Sequence, residues 1–179
     1  MRELNTSIYQ YISYVDSLPE PDVVLPAEAD AYFQGNTNFG SDSELLVKNA
    51  NANFTRETYL RFDISSINSS VSSAVIKLHS VAIDKEAGSY QAELVTSNTW
   101  NEMTLSSANN PAGSVVLGTW SHGDDIEIDV TDVIRNGLAS DAKLSIRIVS
   151  TLDNGSVPVY GSREHPTELA RPRLIVHYE

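Results

Sequence analysis

The side chains able to do chemistry in this 179-residue chain are few, and their spacing does not suit catalysis. Its four histidines, His79, His122, His165 and His177, fall at none of the spacings that zinc ligands use. His79 and His177 suit half-exposed positions on strands. No Gly-x-Ser-x-Gly turn or phosphate-cradling glycine loop occurs. The chain has no cysteine, which removes disulfides, thiolate metal sites and a cysteine nucleophile. Acids gather at Asp124, Asp125, Glu127 and Asp129, where a glycosidase pair would be sought. A solvated loop running into the polar face of a strand accounts for them better, and no enzyme is expected.

Charge narrows the partners. Asp and Glu number 24 against 12 Lys and Arg, for a formal charge of −12. Phosphate backbones and anionic membranes need a basic surface, so neither nucleic acid nor membrane is an expected partner. The same carboxylates suit a hard cation such as calcium.

The elements that must position these groups read as strands. Tyr59 to Ile64 alternates, with Leu60, Phe62 and Ile64 on one face and Tyr59, Arg61 and Asp63 on the other. Weaker alternation marks 74–79, 90–95, 126–130, 144–148 and 174–178, with shorter strands at 29–33, 45–48 and 157–160. One apolar face per strand is what two packed antiparallel sheets require, so the fold class is an all-β sandwich. A short helical piece is expected within Val130–Leu138, capped by Asp129 or Thr131. Residues 97–125, with Trp100, Trp120 and Asn109-Asn110-Pro111, read as a long crossing loop.

Residues 1–24 read as an N-terminal arm and proline-containing linker, with Leu18-Pro19-Glu20-Pro21 as punctuation, ahead of a domain over 25–179. The arm has weak strand character. Its Ile8, Tyr9, Tyr11, Ile12 and Tyr14 need a surface to pack on, either the chain's own sandwich or the sheet edge of a protein partner. It lacks the apolar run of a secretory leader, so no signal peptide is expected.

Several segments, in order, resemble one family. They are Ala27–Tyr32, Gly35–Asp42, Leu45–Asn49, Thr55–Ser65, Trp100-Asn101-Glu102, Asn110-Pro111, Ile128–Thr131, Ser162-Arg163-Glu164 and Arg171–Val176. Together they resemble the DNRLRE-type domain, which overlaps the alginate-binding carbohydrate-binding modules, over residues 25–179. The resemblance implies an antiparallel jelly-roll β-sandwich, a non-catalytic role, and attachment to polysaccharide lyases or surface proteins. Modules of this shape often carry a structural calcium ion, and the nearest matching acids are Glu28, Asp30 and Asp129.

Half of the cations fall inside those segments: Lys48, Arg56, Arg61, Arg163, Arg171 and Arg173. Gathered in one groove, they would grip the carboxylates of an acidic polysaccharide. Tyr32, Tyr59 and Tyr160 would then offer flat faces to sugar rings. Ordinary ion pairs such as Arg61–Asp63 and Arg163–Glu164 are the competing reading. The leading functional expectation is a surface-displayed structural or adhesion protein, on a phage virion or extracellular filament, built on a carbohydrate-binding jelly roll. The alternative is an excised module for an acidic polysaccharide such as alginate, from a polysaccharide lyase. Either works outside the cell or on a virion surface.

Overall fold

The computed structural model describes residues 22–67, 70–82, 87–137, 139, 141–153 and 155–179. The arm residues Ile8, Tyr9, Tyr11, Ile12 and Tyr14 lie outside the described residues. In chain order the strands are β1 (Val23–Pro26), β2 (Ala29–Gln34), β3 (Thr37–Asn38), β4 (Glu44–Leu46), β5 (Arg56–Asp63), β6 (Val71–Leu78), β7 (Ser80–Ala82), β8 (Tyr90–Val95), β9 (Gly113–Trp120), β10 (Ile126–Asp129), β11 (Lys143–Ser150), β12 (Val159–Gly161) and β13 (Arg173–Tyr178). Among the described residues one short helix, α1 (Thr131–Arg135), follows β10, and a 3-10 turn spans Glu168–Ala170.

Three sheets form, a four-stranded one ordered β1-β13-β6-β10, a six-stranded one ordered β3-β2-β5-β11-β8-β9, and a small β4-β12-β7. Eight strands make the frame. Numbered one to eight along the chain (β1, β5, β6, β8, β9, β10, β11, β13), they run 1-8-3-6 in one sheet and 2-7-4-5 in the other. That interleaving is the jelly-roll order, and the pairs are antiparallel.

Period-2 patterning decides which side chains meet between the sheets. Leu60 and Phe62 of β5 lie opposite Ile146 and Leu144 of β11, and all four are buried. Ala74, Ile76 and Leu78 of β6, with Leu174 and Val176 of β13, close the core from the other sheet. Each fully buried Leu, Ile or Phe contributes about 1.5–3 kcal/mol through removal from water.

The outer face of the six-stranded sheet is not bare. Ala29, Ala31, Phe33, Tyr59 and Val95 form a second apolar cluster there, covered by Trp100 and Leu105 from the long connection after β8. Asn38 ties that connection down, its Nδ2 donating to the carbonyls of Glu102 and Leu105 at 2.8 and 2.9 Å. Gly40 makes the close approach possible, because a Cβ there would lie 2.1 Å from the Glu102 carbonyl oxygen. Gly40→Ala is expected to lower stability by about 1–3 kcal/mol, the usual cost of overpacking, as measured by urea denaturation.

The crossing loop expected over 97–125 is shorter than that, because β9 occupies its second half. Gly113-Ser114-Val115-Val116-Leu117-Gly118-Thr119-Trp120 is an edge strand with two register irregularities and exposed valines, so it never shows a clean apolar face. The helix is also shorter than expected. Asp129 does serve its start, since Oδ1 accepts the Thr131 N–H at 2.9 Å.

Candidate functional site

Six of the ten described cations in this acidic chain pair with its own carboxylates. Arg61 pairs with Glu28, lies 4.7 Å from the Trp100 ring centre, and donates from Nη1 to the carbonyls of Asn98 and Trp100 at 3.1 and 2.9 Å. Lys143 joins Glu28 and Asp63, and both carboxyls are held below their ordinary range chiefly by that ammonium once the opposing effect of burial on Glu28 is met. Arg147 bridges Glu93 at 2.7 Å and Glu57 at 3.5 Å. Arg61 thus fastens the outer face of the six-stranded sheet to the loop above it, while Lys143 and Arg147 tie neighbouring strands of that face to one another.

The expected aromatic platforms are therefore not available. Tyr59 is fully buried, stacked on Phe33 and meeting Trp100 edge-on, with its hydroxyl donating to the Pro111 carbonyl at 2.9 Å. Tyr160 is fully buried and accepts the Trp120 indole N–H at 3.1 Å. Burial pushes both phenols upward, Tyr59 to about 12. Tyr32 is buried and stacks on Phe39 at 4.5 Å. A tyrosine in an alternating strand gives no sign of which face a distant loop will cover.

The expected metal set is also rearranged. Glu28 is committed to Arg61 and Lys143, and Asp129 to Thr131. Asp30 is instead joined by Glu102 and Glu164, with one oxygen of each within 4.8 Å of the others. The chain folds them together through the Asp30 N–H, which donates to Glu102 Oε1 at 2.8 Å, and the Arg163 N–H, which donates to Asp30 Oδ2 at 2.7 Å. Arg163 also grips both Glu102 oxygens from Nη1 at 3.0 Å. Burial, then the Glu164 and Glu102 charges, push Asp30 up to about 8 against the pull of Arg163. Burial likewise raises Glu164.

Four cations have no described carboxylate at ion-pair distance: Lys48, Arg56, Arg171 and Arg173. They form two separate pairs, not one groove. Lys48 and Arg56 face each other across a β-bridge, and Arg56 Nε donates to Gln34 Oε1 at 2.9 Å. Arg171 and Arg173 lie at the start of β13, on the other sheet.

The Arg171–Arg173 pair lines a shallow cleft of about 150 Å3 with Lys77, His79, the acids Asp125 and Glu127, and the 68% exposed Leu169. Register explains the grouping, since Arg173 lies opposite Lys77 and Lys77 opposite Glu127 across three strands, on the sheet's outward face. Lys77 meets Glu127 at 2.6 Å, but both are exposed and such a pair is worth at most about 1 kcal/mol. Arg171 Nε donates to the His165 carbonyl at 2.8 Å, which aims its guanidinium. Arg173 Nε is buried with no hydrogen-bond partner among the described residues, and its Nη2 makes only a 3.4 Å contact to the Leu169 carbonyl. Both acids of the cleft are engaged, Glu127 with Lys77 and Asp125 with His79, so the two guanidinium groups keep outward donors for an anion from outside.

No curated protein matches the chain. The model of carbohydrate-binding module family 96 matches residues 21–178, spanning the sandwich, the Asp30 cluster and both cation pairs. With all but its first 20 residues and Glu179 inside that match, the chain belongs to carbohydrate-binding module family 96.

Proposed function

We propose that the chain is a non-catalytic module for an acidic polysaccharide, held by its carboxylates in the Lys77–Arg171–Arg173 cleft. The observation that carries this reading is the pair of guanidinium groups without described acid partners, one with a buried, unsatisfied Nε. Family membership supports a polysaccharide as the ligand class. The resemblance to DNRLRE-type and alginate-binding modules supports a uronate polymer, which carries a carboxylate on each sugar. Guanidinium matches carboxylate with two parallel hydrogen bonds, so the cleft would orient the polymer as well as attract it. Such a module works where the polymer is, outside the cell. Display on a virion or filament would use the arm of residues 1–24, whereas the module reading rests on described side chains and takes precedence.

Calorimetric titration with polymannuronate tests the reading. Binding at 20 mM salt that weakens steeply by 500 mM is the expected result, because exposed charges are screened within about 10 Å at 0.1 M. Heat equal to that of a neutral glucan, or none at all, would count against it.

Calcium is proposed at Asp30, Glu102 and Glu164, which keeps Asp30 of the acids expected from sequence and replaces Glu28 and Asp129. The donors are all carboxylate oxygens, as a hard cation takes. With Arg163 neutralising one of three charges, two remain for a divalent ion. Without the ion, the folded chain keeps a proton on Asp30 that the unfolded chain releases above about pH 4. Stability is then expected to fall as pH rises from about 4 to 8 in chelator. Calcium takes the place of that proton, so it should raise the melting temperature much more at pH 8 than at pH 5. Asp30→Asn should abolish both effects. Melting curves in calcium and chelator that coincide at both pH values would remove the site.

A further inference from the structure

The connection from Thr96 to Ala112 does more than cover apolar surface, because its own turns enclose a cleft of about 540 Å3. None of the lining residues is charged, in a chain of which 20% is charged. Hydroxyls come from Ser97, Thr99 and Thr104, an amide from Asn101 and an apolar edge from Trp100, while Asn109 braces the loop by donating from Nδ2 to the Thr104 carbonyl and accepting the Ser106 N–H. Hydroxyls and carboxamides donate and accept at once, which is what the hydroxyls of a sugar require. The volume falls in the roughly 300–1,000 Å3 range of small-molecule sites.

The walls are fixed in advance. Pro111 is held by the Tyr59 hydroxyl at 2.9 Å, Leu105 by Asn38 at 2.9 Å, and Ser107 N–H donates to the Gly35 carbonyl at 3.0 Å. A loop anchored at both sides of an open cleft loses little freedom when a ligand enters. The acidic-polymer cleft lies on the outward face of the opposite sheet and differs in chemistry, being lined by charged side chains, among them Lys77, Arg171, Arg173, Asp125 and Glu127.

We propose that this cleft is a second saccharide site, selective for a neutral sugar unit. Recognition there rests on hydroxyl and amide hydrogen bonds with the rim of the largely buried Trp100 ring as the apolar wall, so salt has little influence on it.

The test uses cellohexaose, mannohexaose and xylohexaose as probes, read through the Trp100 indole N–H resonance of the full chain. A Trp120→Phe variant gives the same readout by fluorescence, since the chain has two tryptophans. At least one probe should shift the Trp100 signal saturably, with a dissociation constant changed less than twofold between 20 and 500 mM salt. Thr104→Arg, which projects a long cation into the cleft, should weaken that binding at least tenfold. Arg171→Ala with Arg173→Ala should leave it unchanged, which separates this site from the acidic one. No Trp100 response to any of the three probes, or an equal response to a mannuronate hexamer, would overturn the proposal.

Discussion

Trp100→Ala is expected to destabilise the module by about 3–5 kcal/mol, the range for removing a buried aromatic side chain. Trp100 is 6% exposed and joins three systems. Its Nε1–H donates to the buried Ser145 Oγ at 3.1 Å, its ring lies edge-on to Tyr59 at 5.9 Å, and it supports the Arg61 guanidinium. Truncation leaves the Ser145 hydroxyl without this donor and opens the roof over Ala29, Ala31 and Phe33. Trp120, half-buried beside Tyr90 and bonded to Tyr160, is the comparison; Trp120→Phe keeps most of the ring and should cost less than half as much. Guanidinium denaturation followed by far-UV circular dichroism reads both values. A loss below about 1 kcal/mol for Trp100→Ala would mean that the loop is not fastened to the sheet as described.

The second large effect concerns binding. Arg171→Ala combined with Arg173→Ala should weaken affinity for polymannuronate roughly 100-fold. Hydrogen bonds to charged groups contribute about 1.5–3 kcal/mol each, and the cleft is shallow enough that the lower figure applies to both side chains. Stability should change little, because no described carboxylate pairs with either residue. Lys48→Ala combined with Arg56→Ala tests the other cation pair and should alter affinity less than threefold. The opposite ranking of the two double variants would move the acidic site to the Lys48 edge.

The sandwich was legible because its strands carry their burial in their spelling. Leu60-Arg61-Phe62 and Leu144-Ser145-Ile146 alternate, and the residues on the apolar side are those buried between the sheets. β9 was hidden for the converse reason, since an exposed, irregular edge strand imposes no period on Val115, Val116 and Leu117. Site residues were harder. Alternation placed Tyr59 and Arg61 on an outward face, correctly, but only the structure shows Trp100 and Leu105 lying over it. Asp30 was singled out as a metal candidate from the first strand. Its neighbours Glu102 and Glu164 are 72 and 134 positions away in sequence, and both sit in segments noted for other reasons, Trp100-Asn101-Glu102 and Ser162-Arg163-Glu164. Arg171 and Arg173 were named as cations, but their separation from Lys48 and Arg56 follows from strand order, which periodicity does not encode.

Backbone-amide chemical shifts of the full chain during titration with a mannuronate hexamer test the central claim most directly. Perturbations concentrated at 77–79, 125–127 and 169–173, reversed by 500 mM salt, are the predicted result. Shifts confined to the Lys48–Arg56 bridge, or an unchanged spectrum at saturating hexamer, would contradict it.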